Sequence, residues 1–71
     1  MLFLIEYERA KGRTVSIAKY EDSEKHLAQY TKIEREIALL KERTLLQREV
    51  VILEADSEEA LKITHSKYFS L

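Results

Sequence analysis

The chain has 71 residues, of which 45% are apolar and 35% charged; its 12 basic and 13 acidic side chains leave a net charge of -1, and it contains no cysteine. A chain of this length has room for one core and buries only about 60% of the surface its unfolded form exposes, so residues 1–71 are read as a single domain that no disulfide can staple. The charge balance lacks the basic excess behind nonspecific binding to polyanions, and the apolar content is too high for disorder.

Residues Leu2 to Arg9 alternate, with Phe3, Ile5 and Tyr7 on one side and Leu2, Leu4, Glu6 and Glu8 on the other, which is the period of a strand. The longest apolar run, Met1 to Ile5, stops at Glu6 and fits neither a signal peptide nor a membrane span, so a reducing cytoplasm is the expected setting. A second strand is expected from Arg13 to Tyr20, with Val15 and Ile17 opposite Thr14, Ser16 and Ala18. A two-residue turn at Lys11-Gly12 would set Val15 against Glu8 and Ile17 against Glu6. A three-residue loop of Ala10, Lys11 and Gly12 instead pairs Tyr7 with Val15 and Ile5 with Ile17. It also puts the single glycine at the left-handed position such a loop requires, and is the expected connection.

The helix starts share a pattern: Asp22-Ser23-Glu24 before Leu27 recurs as Asp56-Ser57-Glu58 before Leu61. Aspartate or serine there accepts hydrogen bonds from the free amides of a first turn, and Asp56 with Glu59 has capping-box spacing. The first helix, running to about Arg43, carries Leu27, Tyr30, Ile33, Ile37 and Leu40 at spacings of three and four as its expected core face. Lys32, Arg35, Lys41 and Arg43, interleaved with Glu34, Glu36 and Glu42, form its solvated side. Glu49 to Ala55 reads as a third strand, whose run Val50 to Leu53 does not alternate, as in a strand that is central or covered on both faces. The last helix places Leu61, Thr64 or His65, Tyr68 and Leu71 on one stripe.

These elements predict an α+β domain of order β-β-α-β-α, with a three-stranded sheet in the order 2-1-3, or alternatively 1-2-3, and two helices packed on one face. Strands two and three should run parallel through a right-handed crossover, with strand one antiparallel to strand two. Phe3, Ile5, Tyr7, Val15, Ile17, Val51 and Leu53 would then face the helices. Leu2, Leu4, Ala18, Tyr20, Val50 and Ile52 would line an uncovered face, the expected interface. This element order and the tail Thr64-His65-Ser66-Lys67-Tyr68-Phe69 resemble short uncharacterised bacterial proteins of similar length, a resemblance that brings no activity, cofactor or partner with it.

No serine lies in a glycine-bounded elbow, so nucleophilic catalysis has no template, and neither His26 nor His65 has a companion at metal-ligand spacing. A proton-transfer role for His65 beside Tyr68 and Phe69 is outweighed by packing as the reason for such residues in a docking helix, and an enzyme subunit that completes another chain's site through His65 is a third reading. The acids at both helix starts, among them Glu21, Asp22, Glu24, Asp56, Glu58 and Glu59, repel a phosphate. The expectation is a non-catalytic interaction module without cofactor or metal, which forms a homodimer or docks another protein and does not engage membrane. The alternative is a small nucleic-acid-binding accessory protein using the hairpin-tip residues Arg9, Lys11 and Arg13 with Lys19, although the balanced charge disfavours it.

Overall fold

The computed structural model describes residues 1–44 and 47–69. Strands β1 (Leu2–Glu8) and β2 (Arg13–Tyr20) are followed by a 3-10 turn (Asp22–Glu24), helix α1 (Lys25–Lys41), strand β3 (Arg48–Glu54), helix α2 (Glu58–Thr64) and a second 3-10 turn (Ser66–Tyr68). The sheet order is β2-β1-β3, and β1 runs antiparallel to both neighbours, so β2 and β3 point the same way without pairing. This is the expected α+β order, and β1 holds the centre because both of its faces are apolar. Leu2 and Leu4 on one side and Phe3 and Ile5 on the other are all buried.

The two helices do not share a face, contrary to the sequence-based expectation. Phe3 and Ile5 form one core with Leu61 and Tyr68, joined by Tyr7, Val51 and Leu53. Leu4 and Val50 form a second core with Leu39 of α1, joined by Tyr20 and Ile52. Adjacent residues of a strand point to opposite faces, so α2 covers one side of the sheet and α1 the other. The physical reason lies in β1: with apolar residues on both sides, each side needs its own cover. The face expected to be open is therefore closed at Leu2, Leu4 and Val50, which are buried, and half-closed at Tyr20 and Ile52; only Ala18, out on edge strand β2, is exposed.

The hairpin departs from its expected register in one place. Ile5 pairs with Ile17 as anticipated, but Glu6 faces Ser16 while Tyr7 faces Thr14, so Val15 is passed over as a bulge and the loop is the four residues 9–12. A bulged residue shifts the alternation of the strand beyond it. Thr14, rather than Val15, is thereby turned to the α2 side, where its hydroxyl donates to the Tyr68 carbonyl oxygen, and Val15 is left 45% exposed. Gly12 has φ +62°, the left-handed conformation expected of it.

Of the expected aspartate or serine caps, the serine is used at α2 and neither is used before α1. At the 3-10 turn before α1, Glu21 and Glu24 form the capping box, and Asp22 instead accepts from the N-terminal ammonium at 2.6 Å. For α2 the cap is Ser57, whose Oγ accepts from the Ala60 amide at 3.1 Å, so Asp56 is not the cap. Leu71, expected on the last helical stripe, lies outside the described residues. Among the described residues, no helix is long and apolar enough to cross a membrane.

Candidate functional site

Burial of Leu4 beneath α1 takes Glu6 along with it, because the two share a face of β1. A carboxylate withdrawn from water needs compensating charge. Arg35 of α1 donates from Nε to Glu6 Oε1 at 2.9 Å, and Arg48 of β3 donates to Oε2 at 2.8 Å. Arg48 also lies 3.3 Å from Glu8 Oε2. The Arg35 pair binds helix to sheet and the Arg48 pairs bind β3 to β1, and the hydrogen bond that Arg35 donates to Glu6 holds its guanidinium above its usual pKa.

On the opposite face the tail builds a second cluster. The Tyr68 hydroxyl donates to Glu49 Oε1. Lys67 lies 3.4 Å and Arg9 3.8 Å from Glu49 Oε2. The Tyr68 ring meets Tyr7 edge-on at 5.3 Å and stacks beside His65 at 6.5 Å, with the Lys67 ammonium 4.9 Å from its centroid. Burial, and then the hydrogen bond to Glu49, pushes the Tyr68 phenol up to about 12. That hydrogen bond in turn holds the Glu49 carboxyl below its ordinary range. A phenol raised this far stays uncharged at neutrality, and its hydrogen bond to Glu49 ties the tail to β3. His65 is half-buried, with Nδ1 2.8 Å from the Thr64 hydroxyl.

The hairpin-tip cations lie beside carboxylates. Lys11 and Arg13 are 3.9 and 3.7 Å from Glu8 Oε1, and Arg9 shares Glu49 with the tail. Beyond Arg13, an open groove of about 640 Å3 runs between β2 and the tail, lined by Val15, Ile17, Lys62, Tyr68 and Phe69 among others.

The largest surprise is α1. The stripe expected to face the core is turned outward: Tyr30 is 61% exposed, Ile33 54%, Ile37 48% and Leu40 62%, with Leu27 beside them at 50%. The buried residues are Ala28 and Leu39. At 100° per residue, the direction of Tyr30, Ile33, Ile37 and Leu40 is about 150° from that of Ala28 and Leu39, so the apolar stripe points almost directly away from the sheet. The side facing the sheet carries Leu39, which packs on Leu4 and Val50, the fully buried Ala28, and Arg35, which reaches Glu6. One signal in the sequence bears on this: Glu6 and Glu8 alternate with Leu4 on one face of β1, and a helix covering that face meets acids that favour a cation on its inner side, which Arg35 supplies beside Arg48 of β3. No protein-family model, no curated protein and no solved structure matches the chain.

Proposed function

We propose that the chain is a non-catalytic protein-interaction module whose contact surface is the outward stripe of α1. The observation that carries this reading is the exposure of four large apolar side chains, Tyr30, Ile33, Ile37 and Leu40, on a helix whose other side is already seated on the sheet. Contiguous apolar patches on a small protein are typical of surfaces that bind. The sheet face of Leu4 and Val50 is already covered by Leu39 of α1. The nucleic-acid alternative draws on Arg9, Lys11 and Arg13, whose charges are shared with Glu8 and Glu49, and it is the weaker reading. A chain without cysteine accords with a reducing, cytoplasmic setting.

The double variant Ile33→Gln, Ile37→Gln tests the assignment in dilute solution. Substitutions on a free surface stay within about 0.5 kcal/mol each, so urea denaturation of the variant should nearly superimpose on that of the parent. A loss of several kcal/mol would place the stripe in the chain's own core and overturn the reading.

A further inference from the structure

The stripe on α1 has the spacing of a coiled-coil seam. Tyr30 and Ile37 fall at a positions and His26, Ile33 and Leu40 at d positions of one heptad register. In that register Leu27, Glu34 and Lys41 are at e, and Gln29 and Glu36 at g. Pairing at such a seam does not require a helix to be folded first, because α1 is already held on the sheet by Leu39 and by the Arg35–Glu6 bond.

Resting on the reading of this stripe as a docking surface, we propose that its occupant is a second copy of the chain, with the two α1 helices parallel and in register. Charge selects both the partner and the direction. In a parallel pair each g residue meets the e residue five positions on in the other helix, which puts Glu36 opposite Lys41 of the second copy, twice by symmetry. Glu36 already holds Lys32 of its own helix at 3.2 Å, so it is poised on the surface as an acceptor. In an antiparallel pair, the register that stacks Tyr30 on Leu40 and Ile33 on Ile37 brings Glu34 against Glu34 and Glu36 against Glu36, two like-charge contacts with no opposite pair to offset them. The parallel pair also buries Ile37 against Ile37 at a and Leu40 against Leu40 at d, the pairing of types that suits two strands, while Ile33 at d and Tyr30 at a fill the seam without selecting that number. A second copy also addresses the problem of size, since a domain this small with no disulfide gains stability from mass action on association. With α1 only about 25 Å long, the interface is small, and association in the micromolar range is expected.

Sedimentation equilibrium of the full chain, from low micromolar to near-millimolar concentration, is the first measurement. The parent should dimerise, and Ile33→Gln, Ile37→Gln should abolish the dimer. Lys41→Glu should weaken it by about tenfold, since two attractive contacts become repulsive, and Glu36→Lys combined with Lys41→Glu should restore it. Because the chain has no cysteine, direction can be read by disulfide formation. Ile37→Cys should cross-link to itself under mild oxidation. A parent that stays monomeric throughout overturns the proposal, as does a dimer indifferent to the stripe variants. So does an Ile37→Cys chain that links only to an Ile33→Cys chain, the antiparallel signature. None of these results resembles the failure of the docking reading itself, which would show as unfolding of the stripe variants when dilute.

Discussion

Arg43 occupies a position where glycine is the usual choice. It follows the end of α1 with φ +61°, its amide donates to the Leu40 carbonyl oxygen at 3.0 Å, and the Thr44 amide donates to that of Leu39 at 2.9 Å. These are the two bonds of a Schellman ending, whose left-handed residue carries a steric penalty when it has a Cβ. Arg43→Gly should therefore raise stability by about 0.5 to 1 kcal/mol, the relief of strain exceeding the added freedom of the unfolded chain. Gly12, at φ +62°, is the reverse case. A Cβ there would lie 3.5 Å from the Tyr7 hydroxyl, an ordinary contact, so Gly12→Ala should cost about 1 kcal/mol through backbone strain alone. Urea denaturation of the two variants should give shifts of opposite sign; shifts of the same sign would contradict one of the two left-handed assignments.

At the scale of the element, the orientation of α1 is decided by two adjacent leucines. Leu39 is 2% exposed and belongs to the core under the sheet, whereas Leu40 is 62% exposed. Leu39→Ala should cost about 3 kcal/mol, within the range for buried leucines, and Leu40→Ala under about 0.5 kcal/mol in the dilute chain. The reverse ranking, read from chemical denaturation, would mean that α1 is turned half a revolution. The same logic applies to the α2 start, where Ser57→Ala should cost about 1 kcal/mol and Asp56→Ala much less, because Ser57 makes the capping bond.

Much of this level was legible in the sequence. Period-two alternation located the strands, and apolar residues on both sides of β1 placed it at the centre. What periodicity conveys is which residues share a face; it does not say what that face meets. Tyr30, Ile33, Ile37 and Leu40 do share one face, with Leu27 beside it, but that face is not the core: Leu39 and Ala28 pack inward, together with Arg35, which pairs with the buried Glu6. The bulge at Val15 was hidden for a related reason. Matching apolar to apolar favoured Val15 opposite Tyr7, while the bond from Thr14 to the Tyr68 carbonyl, a contact 54 residues distant, goes with Thr14 in that place.

At the scale of the whole molecule the Cα envelope measures 34 × 30 × 12 Å. The helices pack on opposite faces of the sheet, α2 over Phe3 and Ile5 and α1 over Leu4 and Val50. Edge strands β2 and β3 are each paired with β1, and Tyr68 adds a tie across all three. Tyr68 accepts from Thr14 of β2 through its carbonyl oxygen, donates to Glu49 of β3 through its hydroxyl, and packs edge-on against Tyr7 of β1. One residue of the tail thus touches all three strands, and its protonation state should be felt by the entire fold.

The sign of that dependence follows from the direction of each shift. The phenol is raised from its ordinary value of 10.0 to about 12, chiefly by burial and then by the bond to Glu49. A raised folded pKa contributes stability that is complete below the unfolded value and is lost as pH climbs to the folded one. Stability should therefore fall between about pH 10 and pH 12, by about 2 kcal/mol from this group. Glu49 behaves oppositely: its carboxyl is depressed, first by the Tyr68 hydrogen bond, so its contribution is present above the ordinary carboxylate range and is lost as pH drops through the depressed value. Tyr68→Phe keeps the ring against Tyr7 and removes the proton that titrates. The variant should be less stable at neutral pH by about 1 to 2 kcal/mol, since Glu49 loses its donor. It should also show a shallower decline in alkali, so that the two curves converge towards pH 12. Urea denaturation at a series of pH values measures both effects, and parallel curves for parent and variant from pH 9 to pH 12 would rule out the tie between the tail and the sheet.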